Sequence, residues 1–88
     1  MKKHLVISGK VQGVGFRYWM QNLAIKNNIN GWVKNKMSGD VEALVVGQDK
    51  KIKELIEICK KGPSLAVVVC VQINDYDKDY SKEGFDIF

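Results

Sequence analysis

The stretch Leu5-Val6-Ile7-Ser8-Gly9-Lys10-Val11-Gln12-Gly13-Val14-Gly15-Phe16-Arg17-Tyr18-Trp19-Met20-Gln21-Asn22-Leu23-Ala24 changes period in its middle. Leu5 and Ile7 alternate with Val6 and Ser8, so residues 4–9 read as a strand with one apolar face. From Phe16 the spacing becomes helical: Phe16, Trp19, Met20, Leu23 and Ala24 fall at i, i+3, i+4, i+7 and i+8. A helix is therefore expected over 16–27. Gly9 closes the strand, and Gly13 and Gly15 lie between the two elements. A glycine turn that leaves a strand and opens a helix can aim successive backbone N–H groups at one point. The helix N-terminus adds partial positive charge there. Arg17 adds a planar fork of donors suited to phosphate or carboxylate. The stretch from Val11 to Arg17 thus reads as a cradle for a phosphate-sized anion. Turn-forming glycines alone would explain the same letters. No Gly-Lys-Ser/Thr follows, so this is not a Walker loop. Tyr18 stands where a dinucleotide fingerprint needs its third glycine.

Outward from that stretch, the order of elements decides the fold class. Asn27-Asn28 ends the first helix, and Ile29 packs back before the turn at Asn30-Gly31. Residues 31–36 and 41–46 read as two strands joined by the tight turn Met37-Ser38-Gly39-Asp40, a hairpin. Residues 49–60 read as a second helix. Asp49 is its expected N-cap, and Ile52, Leu55, Ile56 and Cys59 form its apolar face. Gly62 and Pro63 stop it. Residues 65–73 read as a fourth strand with Val67, Val69, Val71 and Ile73 on one face. Residues 74–82 are polar and read as loop, and Phe85, Ile87 and Phe88 suggest a short terminal strand. The order is βαββαβ plus a tail strand. It predicts an α+β sandwich of the ferredoxin-like kind, an antiparallel sheet with two helices on one face. The helix between strands one and two makes them parallel, with strand three antiparallel between them. Arg17 and Asn35 are then expected at one end of the sheet, although Asn35 read alone is an ordinary hairpin-entry residue.

Eighty-eight residues make one domain, 1–88, with a single modest core. No apolar run approaches the roughly 20 residues that span a bilayer. The apolar stretch after Met1-Lys2-Lys3-His4 is too short for a signal peptide, so a cytoplasmic protein is expected. Cys59 and Cys70 fit no zinc or redox spacing, and both are expected as buried free thiols. The lone His4 reads as a surface or edge residue without a role. The net charge is +4, which suits an anionic partner. The lysines are scattered rather than gathered on one segment.

Two runs carry a family resemblance. Gly9-Lys10-Val11-Gln12-Gly13-Val14-Gly15-Phe16-Arg17 resembles the first signature of the acylphosphatases. Gly31-Trp32-Val33-Lys34-Asn35, followed by Gly39, Val41 and Gly47, resembles their second. The likeness runs the length of the chain, through the Gly-Pro after the second helix to the final Phe-x-Ile. It implies a βαββαβ sandwich and hydrolysis of acyl phosphates to a carboxylate and inorganic phosphate, without metal or cofactor. It implies that Arg17 and the loop amides of Val11, Gln12, Gly13, Val14, Gly15 and Phe16 grip the phosphoryl group. It implies that Asn35 positions the attacking water. Expected partners are small acyl phosphates, with inorganic phosphate as product and inhibitor. No nucleic acid or membrane partner is expected, and the chain is expected to be a monomer. RNA-recognition domains share the βαββαβ order, but their glycine-aromatic motif is absent from Val41-Glu42-Ala43-Leu44-Val45-Val46. A module that binds acyl phosphates without turning them over is the remaining alternative.

Overall fold

A computed structural model describes residues 1–88. The elements in order are β1 (Lys2–Lys10), α1 (Phe16–Lys26), β2 (Asn30–Asn35), β3 (Val41–Val46), α2 (Asp49–Cys59), β4 (Val67–Asp75) and β5 (Phe85–Ile87). They form one five-stranded sheet in the order β4-β1-β3-β2-β5. β1 and β2 are parallel in direction because each pairs antiparallel with β3. The tail strand β5 takes the outer side of β2 and runs parallel to it, with Val33 opposite Ile87. The sheet is therefore mixed rather than wholly antiparallel.

One face of the sheet and the two helices enclose the core. Leu5 and Ile7 of β1, Val33 of β2 and Val41, Ala43 and Val45 of β3 supply the sheet side. Phe16, Met20 and Ala24 of α1 and Ile52, Leu55, Ile56 and Cys59 of α2 supply the helix side. Trp19 packs edge-to-face on Phe16, ring centres 5.2 Å apart. These are the faces that the helical and alternating periods specify.

Three local expectations are corrected. The face assigned to β4 is wrong in its first half. Ser8 pairs with Cys70 but Gly9 pairs with Val68, so Val69 is an extra residue in a β-bulge. A bulge resets the alternation: Ala66, Val68 and Val71 pack against the core, while Val67 and Val69 are exposed. Cys70, expected inside, is exposed because it alternates with inward-packed Val71 and lies opposite Ser8, and Cys59 alone is buried. Asp49 is not the N-cap of α2. Gln48 holds that place, and Asp49 in the first turn sits 3.3 Å from the N-terminal ammonium. Of the two places expected for His4, surface or edge, it takes the first: β1 lies between β4 and β3, and His4 is on the open face of the sheet.

On the open face of the sheet His4 Nε2 lies 2.6 Å from Glu42 Oε2, and Lys34 Nζ lies 3.6 Å from Glu42 Oε1. Burial raises the Glu42 pKa. The hydrogen bond from His4 and the charges of Lys34, His4 and Lys36 outweigh it and leave the carboxyl below its ordinary value. Residues 76–84 carry the chain from β4, at one edge, to β5, at the other. They pass the end of the sheet where β1 begins. Tyr76 N–H donates to Lys2 O and Lys2 Nζ to Lys78 O. The opposite end, where β1 and β2 finish, is left open.

Candidate active site

That open end holds a cleft of about 220 Å³ lined by Val11, Gly13, Gly15, Phe16, Arg17, Tyr18, Asn35 and Ile87. The lining comes from the loop after β1, the first turn of α1, the end of β2 and the tail strand. Arg17 and Asn35 meet there because β1 and β2 point the same way. Gly13 and Gly15 take left-handed φ angles of 73° and 77°. Apart from the adjoining residues of the chain, no protein atom lies within 4 Å of where a Cβ would stand on either. Packing therefore does not demand glycine at these positions; the backbone turn does. Gly15 is the N-cap of α1, with its carbonyl accepting from Trp19 N–H at 3.0 Å. No side chain caps this helix start and no acidic residue occupies its first turn, so its N–H groups stay free for an anion.

Hydrophobic burial fixes the loop that bears those groups. Val11 is 1% exposed and Phe16 2%, so the loop is pinned at both ends in the core. Val14 packs against the same core between them. Gln12 and Val14, expected in the cradle, are not among the residues that line the cleft. Gln12 reaches the other way. Its Nε2 donates to Lys36 O at 2.7 Å and to Asp40 O at 2.9 Å, fastening the loop to the hairpin turn just beyond Asn35. Arg17 Nη1 donates to the main-chain oxygen of Phe88 at 3.0 Å. Gln21 Nε2 donates to Phe85 O at 2.8 Å, and together the two bonds tie α1 to the tail strand. Arg17 thereby spends one N–H on the protein and keeps the rest of its fork for a ligand.

No carboxylate and no imidazole lines the cleft. His4, the only histidine, faces the other side of the sheet. No three His, Cys, Asp or Glu side chains gather anywhere in the molecule in a way that could hold a metal ion. The arrangement can bind a compact anion through main-chain N–H groups and a guanidinium, beside one neutral amide. Sequence reasoning missed Tyr18, Ile87 and the Phe88 oxygen. Tyr18 lay outside both signatures, and the other two enter only through the placement of β5.

Fold and cleft together define a class: a small α+β sandwich with a glycine cradle, an arginine and an asparagine at the open end of its sheet. The sequence model of the acylphosphatase family matches residues 3–87. The chain belongs to the acylphosphatase family and is an enzyme of that kind. It is 42% identical over 83 residues to an acylphosphatase of Acidiphilium cryptum, covering 94% of this chain and 90% of the relative. It is 37% identical over 87 residues to an acylphosphatase of Moorella thermoacetica, covering 99% and 92%. Among solved structures, the crystal structure of acylphosphatase from Bacillus subtilis superimposes with a TM-score of 0.94 at 32% identity, covering 99% of this chain and 97% of that one.

Proposed function

We propose that this cleft hydrolyses acyl phosphates, with the phosphoryl group held by Arg17 and the main-chain N–H groups of residues 11–17 and the attacking water oriented by Asn35. The observation that carries the reading is the meeting of Arg17 and Asn35, 18 positions apart, with Gly13 and Gly15 in one cleft. An acyl phosphate departs as a carboxylate, whose pKa is about 4 like that of Asp or Glu. Such a leaving group needs no proton, and no acid lines the cleft to give one. Phosphoryl transfer to water then depends on positioning and on stabilising charge on the equatorial oxygens. The guanidinium and the helix-start amides meet that charge. With no imidazole or side-chain carboxylate lining the cleft, the proton of the water passes to a phosphoryl oxygen of the substrate. An enzyme group with pKa near 6–7 in the kcat/KM profile would refute this step.

Inorganic phosphate fits the same cradle and is expected to compete with substrate. The two free cysteines suit a reducing compartment, and we place the protein in the cytoplasm as a monomer. Nucleic acid is not among its partners on this reading, since β3 offers no aromatic ring for base stacking.

Two variants test the roles. Arg17→Ala should raise KM and also lower kcat, by roughly 10³-fold or more, the low end for a phosphate-clamping arginine. Arg17→Lys should recover little, because an ammonium lacks the fork. Asn35→Ala should lower kcat by about 10²-fold with phosphate inhibition little changed. A folded Asn35→Ala protein with nearly full kcat would refute the water-orienting role. Turnover of benzoyl phosphate many times beyond the enzyme concentration separates catalysis from simple binding.

A further inference from the structure

Once the phosphoryl group is assigned to the glycine cradle, the rest of the substrate must lie along what remains of the cleft. That remainder is chemically one-sided. Val11 and Phe16 are almost wholly buried and form its floor. Tyr18 is 58% exposed and Ile87 38%, so these two carry the open apolar surface. Neither belongs to the core cluster. The Tyr18 hydroxyl makes no hydrogen bond within the chain. Packing therefore explains neither side chain, yet two elements far apart in sequence bring both to the same cleft.

The wall they make is also held in place. Ile87 stands opposite Val33, two residues before Asn35 on β2. Phe88 N–H donates to Val33 O at 2.9 Å. On the other side Arg17 and Gln21 bond to the main chain of Phe88 and Phe85. Tyr18 lies on the first turn of α1 beside Arg17, so the same bonds set its distance from Ile87. Apart from Arg17 and Asn35, which the phosphoryl end uses, the only polar lining side chain is Tyr18, whose one hydroxyl sits at the tip of an apolar ring.

We infer that Tyr18 and Ile87 form the acyl-side subsite, and that it favours acyl phosphates whose carboxylic part is aromatic or branched alkyl over those with a small or polar one. The inference rests on the catalytic reading above and adds the substrate class to it. A ring or branched chain gains apolar contact with Tyr18 and Ile87; an acetyl or carbamoyl group is too small or too polar to use it. Apolar pockets discriminate by about 10- to 200-fold per methylene when closed. This wall is open on one side, so the lower end applies.

The test uses the full chain and two substrates, benzoyl phosphate and acetyl phosphate, with kcat/KM measured for each. Wild type, Tyr18→Ala, Tyr18→Phe and Ile87→Ala are compared, so that differences in intrinsic reactivity cancel. Tyr18→Ala should lower the benzoyl-to-acetyl ratio by about 5- to 20-fold, and Ile87→Ala by about 3- to 10-fold. Tyr18→Phe should keep the wild-type ratio, because the ring and not the hydroxyl does the binding. Circular dichroism checks the fold. A ratio that stays at its wild-type value in both alanine variants overturns the subsite while leaving the catalytic reading intact. Equal losses on both substrates overturn it as well. A wild-type chain that hydrolyses neither substrate overturns both readings together.

Discussion

Gln12→Ala cuts the fastening between the glycine loop and the hairpin turn. Two hydrogen bonds are lost, at 2.7 and 2.9 Å. Each is worth about 0.5–1.5 kcal/mol net. Neither acceptor is orphaned, since Asp40 O also takes Lys36 N–H at 2.8 Å and Lys36 O takes Gly39 N–H at 3.1 Å. The full desolvation penalty therefore does not arise, and the loss should be about 1–2 kcal/mol. For a domain of this size that is a fall in Tm of roughly 5–15 °C. The rate should fall too, because Asn35 immediately precedes the released turn. A misplacement of about 1 Å can cost 10²-fold, and a turn still held by its own main-chain bonds should move less, costing about 10-fold in kcat. KM should hold, since Val11 and Phe16 still anchor the cradle. Gln12→Glu should be worse than Ala, because a carboxylate would face two carbonyl oxygens with no proton to give. Thermal unfolding and steady-state kinetics well below Tm read both effects. An Ala variant that melts within a degree of wild type and keeps its kcat would refute the fastening, as would a Glu variant indistinguishable from wild type.

The two cysteines should separate cleanly toward a thiol reagent. Exposed Cys70 should react fast, and Cys59, whose pKa burial pushes up to about 12, should react only on unfolding; two fast equivalents would contradict the buried placement. Because the native Cys59 thiol holds its proton, its share of stability is present below the ordinary value of 9.0 and is lost as pH rises through about 12; Cys59→Ala should remove that part of the alkaline limb, and an unchanged limb would count against it. Glu42 has the opposite sign. Its lowered pKa contributes stability above the ordinary 4.5 that is lost as pH falls through the native value, so Glu42→Gln should flatten the acid limb of a stability profile. Val69, 77% exposed on an edge strand, should be a nucleus for strand-to-strand association; Val69→Lys should lengthen the aggregation lag under mild denaturant, and an equal lag would place the nucleus elsewhere.

Strong periods in the sequence made most of this architecture legible. The helical stripe through Phe16, Met20 and Ala24, and the Ile52–Cys59 face, each survive because a helix places side chains by its own geometry. Arg17 and Asn35 could be brought together on paper because a strand-helix-strand crossover fixes direction. β4 was not legible. Every residue from Val67 to Val71 is apolar or cysteine, so no polar partner marks the face, and one extra residue at Val69 changes the phase unseen. The sequence offers Gln12 to the cradle through its main-chain N–H alone; that its side chain instead fastens the loop to the hairpin turn shows only once both turns are placed. Tyr18 and Ile87 escaped for a different reason. A wall made by two elements cannot be seen until both are placed, and nothing local in Phe85-Asp86-Ile87-Phe88 says which strand it will join.

The position of β5 also bears on how the molecule comes together in time. β1 pairs with β4 across long stretches of chain, Lys3 opposite Asp75 and Lys10 opposite Val67. Closing such loops costs entropy before any contact rewards it, which sets folding on the scale of milliseconds to seconds. β5 pairs with β2 alone, at the far side of the sheet from β4, and is expected to dock after β2 has paired with β3. Ile87 and the oxygen that steadies Arg17 arrive with that final strand. In refolding from urea, the helical signal and the burial of Trp19 should therefore return first. Turnover of acyl phosphate should lag behind them, as the readout of the last strand to find its place.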